Sequence, residues 1–193
     1  MMKKVIKIIY IQFMRCITLL QFRRHGVIGG HNVQVKGNTV YIKAPRNTIS
    51  VGKNVNINSS AKADPIGIGD RTRFIVKDGG SIKIADGVGM SNCTIVSHQS
   101  VEIGECATIG SGVCIYDTDF HSVYANERLH GNTNIKTKPV YIGKESFIGG
   151  GTIILKGVII GDRAVIGAGS VVTKNVPQGE LWAGNPARFI RKI

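Results

Sequence analysis

The sequence predicts an all-β solenoid of stacked parallel strands, on three observations. From residue 142 the chain counts in sixes: IGKESF, IGGGTI, ILKGVI, IGDRAV, IGAGSV, VTKNVP. The 193 residues include 25 Gly and only 5 Pro, with 6% aromatics, which suits short strands and turns better than a large aromatic core. Before residue 142 a looser count of the same kind is separated from the strict one by about twenty residues, DTDFHSVYANERLHGNTNIKTKP (117–139).

The repeat fixes most of the chain. Ile142, Ile148, Ile154, Ile160, Ile166 and Val172 open successive units, Gly follows four of them, and Ser146, Thr152, Val158, Ala164, Ser170 and Val176 hold the fifth place. A period of six is neither the 3.6 of a helix nor simply the 2 of a strand. It describes a strand, a bend at a small residue, and another strand. Three units close a triangular coil with the aliphatic residue inside and the small one at the corner, and stacked coils share a continuous apolar core. A looser count starts units at Ile103 and Ile109, and earlier ones near Val51, Ile57, Ile68, Phe74, Ile84 and Met90, with slips around 63–67, 75–83 and 97–102. The expected organisation is an N-terminal segment 1–26, a solenoid 27–177 with an excursion over 118–139, and a tail 178–193.

The first 24 residues sort on a helix into Lys3, Lys4, Lys7, Gln12, Arg15, Thr18 and Gln21 on one side and Ile6, Ile9, Phe13, Ile17 and Leu20 on the other. Lys7 and Arg15 interrupt the apolar run, so a membrane span and a signal peptide are both excluded as expectations. An amphipathic helix is expected, packed on the open end of the solenoid, lying on an anionic membrane surface, or both. The net charge of +13 suits phosphate-bearing ligands or anionic lipid. Without a basic run interleaved with aromatics, nucleic acid is not an expected partner. Four cysteines without CxxC spacing fit a reducing, cytoplasmic setting.

The motif IGDRAVIGAGSVVTKNVP followed by AGNPARFI resembles the hexapeptide-repeat acyltransferases, and within them the sugar and polysaccharide O-acetyltransferases. That resemblance, which covers about residues 30–193, implies a left-handed parallel β-helix, acetyl-CoA as acyl donor, and a homotrimer with sites between neighbours. An excursion from a regular solenoid costs ordering entropy, so its presence points to function. His121 stands at its root, where the family places its catalytic base, and a neutral imidazole suits the removal of a hydroxyl proton near neutral pH. Asp117 or Asp119 is placed to orient it.

On the donor side, the resemblance puts Gly150 and Ala168 beside the pantetheine arm, and Thr173, Lys174, Arg188 and Arg191 nearer the nucleotide. Asn185 and Pro186 in NPARFIRK suggest a capped, short C-terminal helix carrying both arginines. On the acceptor side stand Asn92 and His98, with Arg128, Glu127 and His130 in the excursion, while Trp182 either walls the groove or closes the last coil. His98 departs from the acid more usual there. Histidines at 25, 31, 98, 121 and 130 lack the close pair of a zinc site in such a solenoid, so no metal is expected. The expected activity is acetyl transfer to a sugar hydroxyl, of a cell-surface polysaccharide or its precursor. The alternatives are an amino sugar, amino acid or antibiotic acceptor, or a non-catalytic scaffold.

Overall fold

A computed structural model describes residues 2–61, 64, 66 and 68–193, apart from the side chains at 2–5, 7, 8 and 11. Three parallel sheets form the faces of a triangular prism. The first holds Ile28–Gly29, Ile49–Val51, Ile82–Ile84, Val101–Ile103, Val140–Ile142 and Ile159–Ile160. The second holds Gln34–Gly37, Asn56–Ser59, Gly89–Ser91, Thr108–Ile109, Phe147–Ile148 and Val165–Ile166, then Glu180–Gly184 and Ala187–Lys192. The third holds Tyr41–Lys43, Arg73–Val76, Thr94–Ser97, Cys114–Tyr116, Ile153–Ile154 and Val171–Val172. The chain visits the sheets in that order, coil after coil. Parallel sheets made from six-residue repeats fit a left-handed β-helix.

The repeat explains the packing. Ile142, Ile148, Ile154, Ile160, Ile166 and Val172 are fully buried, one above another along each face, and each interior Ile contributes about 2 kcal/mol of burial. The fifth-place residues are buried too, because a short side chain can turn back onto its own corner. Ser146 Oγ donates to Gly143 O at 2.7 Å and Ser170 Oγ to Gly167 O at 2.6 Å. At the corner between the first and second sheets, Asn32, Asn54, Cys106, Glu145 and Arg163 all adopt φ of 55–56°. Asn tolerates that left-handed region; the other three are held in it by the ladders on either side.

Three parts depart from expectation. Ile68 opens no coil: it is 41% exposed in a connection that leaves the second sheet after Ser59 and rejoins the third at Arg73. The motif IGD matches a unit there, but Ser111 Oγ donates to Ile68 O at 2.5 Å and draws this connection over the outside of the neighbouring corner. The C-terminal tail is a hairpin and not a helix. Glu180–Gly184 pairs in parallel with Val165–Ile166, and Ala187–Lys192 pairs back on it antiparallel. Gly184 at φ 103° makes the reversal, and a helix would leave the backbone edge of the last strand unpaired. Within the excursion, a single helical turn, α2 (Ala125–Leu129), interrupts the loop.

The N-terminal helix α1 (Met2–His25) lies across the first coil against Gln34–Gly37. Among its described side chains, Met14, Thr18 and Phe22 are buried, and Gln21 Nε2 donates to Val40 O. Lys3, Lys4 and Lys7 of the polar face have side chains outside the described residues. Among the described residues, no helix is long and apolar enough to cross a membrane.

Candidate active site

Two corners of the prism carry the residues singled out by sequence, and one sheet-width separates them. Asn92, Gly150, Ala168 and Arg188 stack at the corner between the second and third sheets. His98, Asp117, Asp119, His121, Thr173 and Lys174 lie at the corner between the third and first. Strand Thr94–Ser97 spans the gap, and at about 3.3 Å per residue the six steps from Asn92 to His98 cover up to about 20 Å.

At the second of these corners the excursion leaves after Tyr116 and is tied at its root. Thr118 and Thr137 form an antiparallel bridge, and Asp119 N donates to Lys136 O at 3.1 Å. Phe120 has φ 62°, a strained value for an aromatic residue, of the kind that persists where surroundings over-determine it. That turn sends His121 outward. Asn132 clamps the backbone on both sides: its Oδ1 accepts from Ser122 N at 3.1 Å and its Nδ2 donates to Phe120 O at 2.9 Å. Buried Ser122 in turn donates to Glu127 Oε2, and Asn134 Nδ2 donates to Glu127 Oε1 at 2.9 Å. Those two bonds, the hydroxyl's foremost, hold the Glu127 carboxyl below its ordinary pKa.

His121 opens on a cleft of about 520 Å³, floored by Ile75 and Val96 and edged by Lys77, Asp78, His98, Phe120 and Asn132. Among the described residues its imidazole has no hydrogen-bond partner, and the side chain is exposed at the edge of the cleft. His98 is different. Its Nδ1 lies 2.7 Å from Asp78 Oδ2, its side chain is only 11% exposed, and the edge of Phe120 packs on it at 6.2 Å between ring centroids. The Asp78 carboxylate accepts the hydrogen bond from Nδ1–H, which in the neutral ring makes Nε2 the acceptor nitrogen. Tyr116 packs on the other side of Phe120 at 5.1 Å, and burial pushes its phenol pKa up.

Neither carboxylate expected to orient His121 is hydrogen-bonded to it. Asp117 is fully buried and accepts three bonds of 2.8 Å: Ser97 Oγ and Gln99 N on Oδ2, His98 N on Oδ1. It therefore fixes the turn that carries His98. Asp119 pairs with Lys156 Nζ at 2.5 Å, anchoring the loop root to the next coil. Arg128 Nη1 donates to Ser122 O at 2.8 Å and His130 Nδ1 sits 2.8 Å from Asn126 O, so both brace the loop. Asp78, Phe120 and Asn132 were missed by sequence reasoning; a KDGG turn and the NTN repeat were the only traces of two of them.

At the other corner, glycines divide by what surrounds them. A Cβ on Gly149 would stand 2.5 Å from Ala168 N, so that glycine is required by coil stacking. The tightest contact of a Cβ on Gly150 would be Ser111 O at 3.1 Å, and Gly150 edges an open cleft of about 340 Å³. The column continues through Ala168 to Gly184, beside Arg188, giving a small-residue track of roughly 14 Å that ends in a cation. Such a track fits an extended amide-bearing arm with phosphates at its far end. Arg191 shares the terminal hairpin with Arg188, whereas Thr173 and Lys174 belong to the His121 corner. Trp182, half-buried, packs on the core and donates from Nε1 to Glu180 Oε2 at 2.8 Å. Asn92 is 2% exposed: its Nδ2 reaches Ser60 O and Asp64 Oδ2 at 3.3 Å, and its Oδ1 has no partner among the described residues. The described residues gather no group of three His, Cys, Asp or Glu able to hold a metal ion.

Comparison with known proteins adds the following. Residues 139–174 match a family described as the hexapeptide repeat of succinyl-transferase. Over 97 residues the chain is 50% identical to nodulation protein L of Rhizobium leguminosarum bv. viciae, an alignment covering half of each chain; the chain thus spans about half the length of the curated relatives it matches. A crystal structure of a maltose O-acetyltransferase from Clostridium difficile 630 is 32% identical, with 89% of this chain and 72% of that one covered and a TM-score of 0.56. A hexapeptide-repeat-containing acetyltransferase from Vibrio cholerae O1 biovar eltor, complexed with acetyl coenzyme A, is 26% identical over 90% of this chain and 74% of that one, also with a TM-score of 0.56.

Proposed function

The chain belongs to the hexapeptide-repeat acyltransferase family, and from that premise we propose that it transfers an acetyl group from acetyl-CoA to a sugar hydroxyl, with His121 as general base. The observation that carries this reading is the His121 imidazole: without a partner among the described residues, presented by a strained and clamped turn, and lining a cleft shared with His98. His121 takes the proton of the acceptor hydroxyl as its oxygen bonds to the acyl carbon, then returns it to the departing sulfur when the C–S bond breaks. Backbone N–H groups of a coil corner stabilise the charge on the acyl oxygen.

The Gly150–Ala168 track with Arg188 and Arg191 holds the pantetheine arm and phosphates of the donor. His98 and Arg128 belong to the acceptor side, and Asn92, at the track corner, joins them from a second copy. Because the track and His121 lie on different corners of one chain, a working site needs the track of a second copy, which a C3 trimer with parallel prism axes supplies. The acceptor class is a saccharide of a surface polysaccharide or its precursor, handled inside the cell.

The test is calorimetric titration with CoA, together with thiol release from acetyl-CoA over free sugars, nucleotide sugars, oligosaccharides, amino sugars and amino acids. CoA binding with turnover on a sugar hydroxyl supports the proposal. Turnover confined to amines moves the acceptor class, and no CoA binding ends the enzyme reading.

A further inference from the structure

Helix α1 packs on the solenoid with the wrong side for a helix whose work is only to cover a core. Met14, Thr18 and Phe22 are buried, and half-buried Gln21 and exposed Tyr10 hydrogen-bond to the first coil through Val40 O and Gly37 O. At about 100° per residue these positions centre on one side of the helix, and the richest apolar stripe centres about 120° round from them. There Ile6, Ile9, Phe13 and Leu20 are 59%, 62%, 61% and 67% exposed. An exposed row of four large apolar residues, three turns or more in length, marks a surface that some partner covers.

We propose that α1 docks the protein on an anionic lipid bilayer through this outward face. Charge selects the occupant. The helix contains Lys3, Lys4, Lys7, Arg15, Arg23 and Arg24 and no Asp or Glu, within a chain of net charge +13. A second α1 packed here would bring together two strongly cationic helices with no acidic residue on either to offset the repulsion, whereas an anionic headgroup layer attracts each basic residue near it by about 1 kcal/mol. The flank of the helix adds a matching feature. A cleft of about 350 Å³ is lined by Ile17 and Leu20 together with Gln21, Arg24, His25 and Thr39, apolar wall beside cationic rim, which is the chemistry of a phospholipid's acyl chain and phosphate. Interfacial helices sink roughly 5–10 Å, about one helix radius with side chains, so the outward stripe can be immersed while the buried stripe stays on the solenoid. The His121 corner, on the third sheet beyond the first coil, then stands about 10–15 Å from that coil along the stack.

The experiment is co-sedimentation of the full chain with phosphatidylcholine vesicles, with and without phosphatidylglycerol. The wild type is compared with a triple variant, Ile9→Gln, Phe13→Gln and Leu20→Gln, whose positions are all exposed. Wild type should pellet with the anionic vesicles and far less with the neutral ones, and about 1 M salt, with its Debye length near 3 Å, should weaken the binding. The triple variant should lose more than about tenfold in partitioning, while its sedimentation mass and its turnover on a soluble acceptor stay at wild-type values. Wild type that ignores anionic vesicles, or a variant that binds them as well as wild type, overturns the proposal. So does a variant whose oligomeric mass falls, since the face would then belong to a second copy.

Discussion

Asp117→Asn separates two roles for a buried carboxylate that sequence alone leaves joined. In the structure its oxygens accept from Ser97 Oγ, His98 N and Gln99 N, each at 2.8 Å, with no solvent exposure. An amide keeps one oxygen. Oriented to retain Ser97 and Gln99, it turns two N–H groups toward His98 N–H, leaving one backbone donor unsatisfied at about 1–3 kcal/mol and weakening two charge-assisted bonds by about 1 kcal/mol each. Relief of a buried charge offsets part of this, so a net loss of about 2–4 kcal/mol is expected. With a slope of about 2–3 kcal/mol per molar urea, the midpoint should fall by roughly 1 M at fixed protein concentration. The measurement is urea unfolding followed by circular dichroism. A stability change under about 0.5 kcal/mol, the range of an inconsequential surface substitution, combined with loss of turnover, would refute this reasoning and return Asp117 to His121.

Three further outcomes follow from the site's construction. Gly149→Ala drives a Cβ to 2.5 Å from Ala168 N and should cost about 2 kcal/mol or more in melting experiments, whereas Gly150→Ala, at 3.1 Å from Ser111 O, should cost less stability yet weaken CoA binding. Asn132→Ala removes the clamp around His121 and should speed amide exchange at residues 120–122 and lower kcat, with CoA affinity unchanged. The depressed Glu127 pKa means its contribution to loop order is complete above the ordinary value of 4.5 and is lost as pH falls through the folded value, so exchange across 120–134 should quicken only in acid, and Glu127→Gln should abolish that dependence.

The interior of the solenoid was legible because every coil imposes the same demand on the same place. Six aliphatics at six-residue intervals became six buried side chains, and the fifth-place residues became corners. The tail was not, because Asn185–Pro186 reads equally as a helix start and as a turn; the deciding factor is the open edge of the second sheet, to which the repeat does not point. Ile68 misled for a related reason: IGD satisfies the local pattern, while its exposure follows from the contact of its carbonyl with Ser111, 43 residues away. His121 was legible as a histidine at the root of an interruption. Asp78 was not, since its partner His98 is reached only when one coil stacks on the next. Asp117 and Asp119 looked like candidates through nearness to His121, but side chains near in sequence at a solenoid corner point along different directions of the stack.

Everything proposed for the site turns on His121 moving the acceptor's proton. Single-turnover acetyl transfer by His121→Ala against wild type, with CoA affinity measured on both, tests it most directly. The expected result is a fall of about 10²–10⁴-fold in the transfer rate, the usual worth of a positioned general base, with CoA bound as tightly as before. Transfer within a few-fold of wild type would contradict it.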